Sequence, residues 1–217
     1  MDFRQIEWPS RLFVTGIGTD VGKSFATGWL AKEMMGNGLS VITQKFIQTG
    51  NNEYSEDIER HRDIMGILPT DEDLCHITAP VIFSYPASPL LASKIDGKEL
   101  DLHIVAEATE TLSRKYSHVL IEGAGGVMVP LTQDCLTIDY IQEHRLPTVV
   151  VTNGKLGSVS DTLLTLYALK SYGIRIFALV YNPYFDSDRI ICDDTRQYLS
   201  TYLETHYPDS LYLEMPS

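Results

Sequence analysis

The chain has 217 residues, 44% of them hydrophobic and 21% charged. That is the length of one ordinary globular domain with enough apolar content to bury a core, which excludes a mainly disordered chain. Its 17 Lys and Arg against 29 Asp and Glu give a formal net charge of −12. Such a surface repels phosphate backbones and anionic lipid, so no nucleic-acid partner and no membrane are expected, while a local positive pocket for a small anion stays open.

The three cysteines, Cys75, Cys135 and Cys192, form no CxxC pair and no metal-ligand spacing with the histidines. This suits a reducing compartment better than a disulfide framework. Residues 1–7 carry no basic-then-apolar leader pattern, and no apolar run approaches the ~20 residues of a spanning helix. A cytoplasmic protein is expected.

Short apolar runs alternate with helical patterns along the chain. Residues 11–15 read as a strand, followed by a glycine-rich turn and a helix over about 23–35, with Phe25, Trp29, Leu30 and Met34 on one face and Gly36 and Gly38 as its stop. A second strand is predicted at 39–44. Ser55 is placed to cap a helix that runs to Met65 and ends near Gly66 and Pro69. Leu102, Val105, Ala106, Leu112 and Tyr116 mark a helix leading into a strand at 118–122.

A short helix over 137–144 precedes a strand at 148–151. Ser158 or Ser160 then opens a helix bearing Leu163, Leu164, Tyr167 and Ala168, closed by Gly173. A strand at 174–181, a helix within 192–206 and a last short strand at 211–213 complete the pattern. Asp186, Asp188, Asp193 and Asp194 read as a solvated face. Near-continuous β-branched runs joined by helices predict an α/β fold, a mostly parallel sheet flanked by helices in three layers. Ligands of such sheets bind beyond the carboxyl ends of the strands.

The turn after the first strand is Gly16-Ile17-Gly18-Thr19-Asp20-Val21-Gly22-Lys23-Ser24. Glycines let backbone N–H groups wrap a polyphosphate at a helix N-terminus, Lys23 reaches the β- and γ-phosphates, and the Ser24 hydroxyl holds Mg2+. The spacing is not standard: five residues separate Gly16 from Gly22, and three separate Gly18 from it, where the usual pattern has four. A dinucleotide fingerprint competes, but Gln44-Lys45 stands where a ribose-binding acid is wanted. A plain tight turn into a helix is the remaining alternative.

Lys45 ends the second strand, where it either neutralises charge during phosphoryl transfer or is an ordinary solvated lysine. Thr49 either donates to a substrate or serves its turn. Asp57, in the first turn of its helix, is suited to the helix dipole. Glu122 ends an apolar strand and runs into Gly123-Ala124-Gly125-Gly126, where an NTPase places a carboxylate near Mg2+. Residues 153–158 form a second potential anion site before a helix. Asn182 reads a base edge or starts a turn.

Taken together, these residues resemble the dethiobiotin synthase family of P-loop NTPases. Phe13-Val14-Thr15-Gly16 with Thr19-Asp20-Val21-Gly22-Lys23-Ser24 is similar to its modified phosphate loop, including the five-residue gap. Lys45 with Thr49-Gly50, Ser55-Glu56-Asp57, Glu122-Gly123-Ala124-Gly125-Gly126 with Pro130-Leu131, Lys155-Leu156-Gly157 and Asn182 match later landmarks, so that the likeness runs from about Leu12 to Pro216. Phe46, Ser160 and Pro183 depart from it, standing where proline, asparagine and aspartate are common.

The resemblance implies one P-loop NTPase-like domain over residues 1–217, with residues 1–10 as an N-terminal extension. It implies Mg2+ as cofactor and ATP as co-substrate, bound by Asp20, Val21, Gly22, Lys23, Ser24, Phe25, Asp57, Glu122, Gly123, Ala124, Gly125, Asn182, Pro183, Glu214, Met215 and Pro216. Ser24, Asp57 and Glu122 would be the metal ligands, and Lys45 and Lys23 the catalytic cations. The implied substrates are 7,8-diaminopelargonate and CO2 or bicarbonate, with Thr49 on the carbamate. A homodimer would bring Gly157, Ser158, Val159 and Ser160 of one subunit to the substrate's tail carboxylate in the other. A ParA/MinD-like ATPase switch is the competing class, but it wants an early lysine between Gly16 and Val21, and none is there.

Overall fold

Strand β1 (Arg11–Gly16) lies inside a sheet because both of its faces are apolar: Leu12 and Val14 enter one core and Phe13 the other, following the two-residue period of a strand. In the computed structural model, which describes residues 3–216, six parallel strands form this sheet. They are β2 (Val41–Lys45), β5 (His118–Glu122), β1, β6 (Thr148–Asn153), β7 (Ile176–Asn182) and β8 (Leu211–Glu214), in that spatial order. A two-stranded parallel ladder, β3 (Gln48–Thr49) with β4 (Ile82–Phe83), stands apart. The predicted α/β architecture is the observed one. Chain order reverses on either side of β1, which opens a crevice at the strands' carboxyl ends.

Register sets charged residues next to one another. In the β2–β5 ladder Lys45 lies directly beside Glu122, and β1 brings Val14 beside Glu122 on the other side. Strand β2 starts two residues later than predicted, because Leu39 closes the preceding helix: its N–H donates to the Met34 carbonyl at 3.0 Å, with Gly38 at a φ of 82°.

Helix α1 (Lys23–Gly36) buries Ala26, Thr27, Leu30, Ala31 and Met34. The predicted face is corrected at Phe25, which is 48% exposed beneath the Arg60 guanidinium. Small side chains win this face because α2 (Glu56–Met65) approaches closely: a Cβ on Gly28 would stand 3.0 Å from Ile64. Helix α2 starts as predicted, the Ser55 hydroxyl accepting from the Ile58 N–H, and ends at left-handed Gly66.

The short α3 (Asp71–Leu74) and α4 (Pro89–Asp96) were not predicted, nor was the small ladder. Helices α5 (Leu102–Lys115) and α6 (Thr137–Glu143) follow their predicted patterns. Helix α7 (Ser158–Ser171) buries Thr162, Leu166 and Leu169, whereas Leu164 and Tyr167 are 66% and 71% exposed, a second correction. Leu164 sits two residues from both Thr162 and Leu166, which at about 100° per residue turns it to the far side.

Helix α8 (Arg189–His206) begins earlier than predicted because Asp188 caps it, accepting from the N–H groups of Ile190 and Ile191. The acids around it are not simply a solvated face. Asp186 accepts from the Tyr181 hydroxyl at 2.7 Å and pairs with Arg196, and Asp193 pairs with the same arginine. The segment before β1 joins the core of Leu12 and Val14 through Phe3 and Trp8, whose rings stack on each other, with Trp8 also against Phe177. The three cysteines are unpaired. No helix among the described residues is long and apolar enough to cross a membrane.

The α1–α2 contact carries the first prediction. Gly28→Val forces overpacking against Ile64 and should lower unfolding free energy by about 1–3 kcal/mol, read from urea denaturation; unchanged stability would contradict the close approach.

Candidate active site

The turn between β1 and α1 is left-handed at Asp20 and Gly22, with φ of 56° and 92°. At Gly22 a side chain is excluded as well as strained, since a Cβ would collide with the Asn182 amide. Asn182, at the end of β7, donates to the Val21 carbonyl at 3.0 Å and accepts from the Tyr184 N–H at 3.1 Å. This side chain, read from sequence as a base contact or a turn starter, braces the phosphate loop while lining the cleft. Lys23 is buried and donates to the Gly18 carbonyl at 2.8 Å across the loop. Burial, and after it the charge of Lys45, brings its ammonium down to about 8, against the opposing pull of Glu122, Asp57 and Asp20.

Lys45 is not a solvated lysine. It is buried, and its ammonium lies 2.6 Å from Asp57 Oδ2, 2.8 Å from Glu122 Oε1 and 3.3 Å from the Gly123 carbonyl. Burial opposes its charge, but Glu122 and Asp57 outweigh that penalty and raise its pKa above the ordinary lysine value. Glu122 is 1% exposed. Burial favours its neutral form, yet Lys45 and His61 hold its carboxyl far below the usual range, so it is ionised. Asp57 fills its predicted place in the first turn of α2 and also faces this cluster.

The Ser24 hydroxyl donates toward Asp57 Oδ1 at 2.6 Å and Glu122 Oε1 at 3.0 Å. No group of three or more His, Cys, Asp or Glu able to hold a metal occurs among the described residues. The set is instead one hydroxyl and two carboxylates, hard oxygen donors that leave positions for water and phosphate oxygens, and this fits Mg2+ held with a nucleotide.

A cleft of about 870 Å³ opens over this cluster. Of the predicted residues, Asp20, Gly22, Lys23, Ser24, Phe25, Lys45 and Thr49 line it. Asp57, Glu122, Ala124, Gly125, Asn182, Met215 and Pro216 line it as well. Ile47, Pro86, Pro89 and Val129 add an apolar wall beside Thr49 that the sequence did not single out. Val21, Gly123, Pro183 and Glu214 are not among the lining residues; Glu214 is exposed and paired with Arg196. Gly157, Ser158, Val159 and Ser160 open α7 outside the cleft, with Gly157 at a φ of 97° and the buried Ser158 hydroxyl lacking a partner.

Sequence reasoning missed His61. It is wholly buried on α2, one turn beyond Asp57, with Nε2 at 2.6 Å from Glu122 Oε2 and Nδ1 at 3.0 Å from the Thr43 hydroxyl. The four-residue spacing from Asp57 was the available signal.

Comparison with known proteins bears on this arrangement. A family model described as an AAA domain matches residues 10–206. The ATP-dependent dethiobiotin synthetase BioD 2 of Pasteurella multocida is 46% identical over 92% of this chain and 94% of its own. The chain belongs to the ATP-dependent dethiobiotin synthetase family. BioD 2 of Haemophilus ducreyi is 45% identical over 94% of this chain and 97% of its own. The synthetase of Chlorobaculum tepidum is 41% identical over 90% and 82%. Among solved structures, pNOB8 ParA bound to nonspecific DNA superposes with a TM-score of 0.54 at 16% identity, covering 94% of this chain and 79% of that one. At that identity the likeness is one of fold.

Lys23 supplies a prediction with a definite sign. Near pH 8 the ammonium is partly deprotonated, and polyphosphate binding favours its charged form, so titration with ATP should take up on the order of 0.5 proton per site. Calorimetry in buffers of different ionisation enthalpy measures this. Proton release at pH 8 would contradict the placement of Lys23.

Proposed function

We propose that this chain closes the cyclic urea of dethiobiotin from 7,8-diaminopelargonate, CO2 and ATP. One amine captures CO2 as a carbamate, losing a proton. A carbamate oxygen attacks the γ-phosphorus, forming a carbamic-phosphoric anhydride and releasing ADP. The second amine attacks the carbonyl carbon, expelling phosphate and closing the ring.

The observation that carries this reading is Lys45, fixed within 2.8 Å of both Asp57 and Glu122 at the head of the phosphate loop. Carbamate and γ-phosphate are both anions, and their approach requires fixed positive charge at the reacting oxygens. Lys45 and Lys23, which both line the cleft, supply it. Thr49 would donate to the carbamate, and the Ile47, Pro86 and Val129 wall suits an aliphatic chain. Ser24, Asp57 and Glu122 would hold Mg2+, which when bound neutralises phosphate charge. Membership in the family supports the same assignment.

The reading includes a homodimer in which the start of α7 receives the substrate carboxylate in the partner's cleft. Supporting it is the position of Gly157 to Ser160 at the N-terminus of α7, outside the lining of their own cleft.

Two outcomes test the proposal. Purified protein given diaminopelargonate, bicarbonate and Mg-ATP should yield dethiobiotin by mass spectrometry with stoichiometric phosphate; amine-dependent phosphate release without the cyclic urea would reject it. Lys45→Ala should lose at least ~100-fold in turnover while still binding ATP, and near-normal turnover would remove Lys45 from its role.

A further inference from the structure

Glu122 has two oxygens, and they face different partners. Oε1 receives Ser24 and Lys45 at 3.0 and 2.8 Å, on the cleft side. Oε2 is turned into the protein, where it meets the His61 ring at 2.6 Å. An ionised carboxylate is acceptor only, so His61 Nε2 carries the proton and donates it. Nδ1 lies 3.0 Å from the Thr43 hydroxyl, its partner on the other side of the ring.

The chain of bonds continues without a gap. Thr43 Oγ1 accepts from Arg62 Nη1 at 2.7 Å, and Arg62 grips Asp73 with Nε and Nη2, each at 2.8 Å. Asp73 also accepts from the Thr78 hydroxyl at 2.7 Å. Every polar atom of the relay has a partner of the right kind, and its members at Thr43, His61 and Arg62 are buried. A histidine kept only to fill space would need no such chain, since an apolar side chain of similar volume packs at lower desolvation cost.

Helix geometry explains why His61 is there. Asp57 and His61 are four residues apart on α2 and so share one face. That face presents Asp57 to Ser24 and Lys45, and His61 to Glu122. One helix therefore places one oxygen donor of the metal set and orients another.

We propose that His61 is a positioning residue: it fixes Oε2 of Glu122 so that Oε1 faces Ser24 and Lys45, and thereby sets how tightly the site takes Mg2+ together with nucleotide. The inference rests on the function proposed above.

The test is calorimetric titration of ATP into the full chain across a series of Mg2+ concentrations and in metal-free buffer. Wild type is compared with His61→Leu, His61→Gln and Thr43→Val, each first checked for a cooperative thermal transition. In His61→Leu the Mg2+ concentration that half-maximally tightens ATP should rise about 10–100-fold, the range for residues that orient metal ligands. Metal-free ATP affinity should stay within about twofold, because His61 does not line the cleft. Gln can offer an amide N–H near the Nε2 position, so His61→Gln should recover most of the loss. Thr43→Val should shift in the same direction by a smaller factor.

A His61→Leu protein with wild-type Mg2+ dependence overturns the inference alone. So does a His61→Gln protein as impaired as His61→Leu, since the N–H would then be irrelevant. If His61→Leu does not fold, Thr43→Val decides, and wild-type Mg2+ dependence there overturns the inference. Absence of any Mg2+-dependent tightening in wild type overturns the proposed function together with it.

Discussion

One ion pair, buried at the carboxyl end of a parallel sheet between Glu122 and Lys45, holds the site in place. Neither charge would survive in the interior without the other, because burial alone drives a carboxyl to protonate and an ammonium to release its proton. Paired at 2.8 Å, both stay charged, as the opposite directions of their pKa shifts express. The pair exists because β2 and β5 run parallel in a register that sets the two residues side by side. A slip of one residue would turn one of them to the other face of the sheet. The close α1–α2 approach through Gly28 then brings Asp57 and His61 onto the same pair.

The acidity of the whole chain and the chemistry of its cleft are reconciled by this arrangement. A net charge of −12 describes the surface. The cleft instead holds two lysines, close enough that Lys45 weakens the proton affinity of Lys23, and the N-terminus of α1. Lys45 is held charged by two carboxylates, whereas Lys23, among the described residues, has a carbonyl at hydrogen-bond distance and is the more easily deprotonated. Anionic ligands would satisfy both. Such a site suits a reaction between two small anions and is poorly suited to a polymer of phosphates.

Much of this was legible in the sequence, for physical reasons that also mark its limits. All strands of the main sheet were readable because strands buried on both faces are near-continuous apolar runs, as in β6, where Val149, Val150 and Val151 follow one another. The phosphate loop was readable from its glycines and Lys23-Ser24. At α1 and α7 the sequence pattern points the largest apolar residues, Phe25, Leu164 and Tyr167, inward, whereas close packing selects Ala26, Ala31 and Thr162. The elements β3, β4, α3 and α4 are too short to show a period. The four-residue spacing puts His61 on the face of Asp57, but its contact with Glu122 spans 61 residues in sequence and leaves no trace in that local pattern.

If the buried charge cluster brings a carbamate oxygen to the γ-phosphorus of ATP, that oxygen must leave with the phosphate, and isotope labelling follows it. Turnover is started with diaminopelargonate, Mg-ATP and [18O]bicarbonate, and phosphate is sampled before exchange with water dilutes the label. One 18O per phosphate released is expected, carried from the carbamate when the anhydride breaks. Phosphate free of label, formed alongside dethiobiotin, would contradict this chemistry.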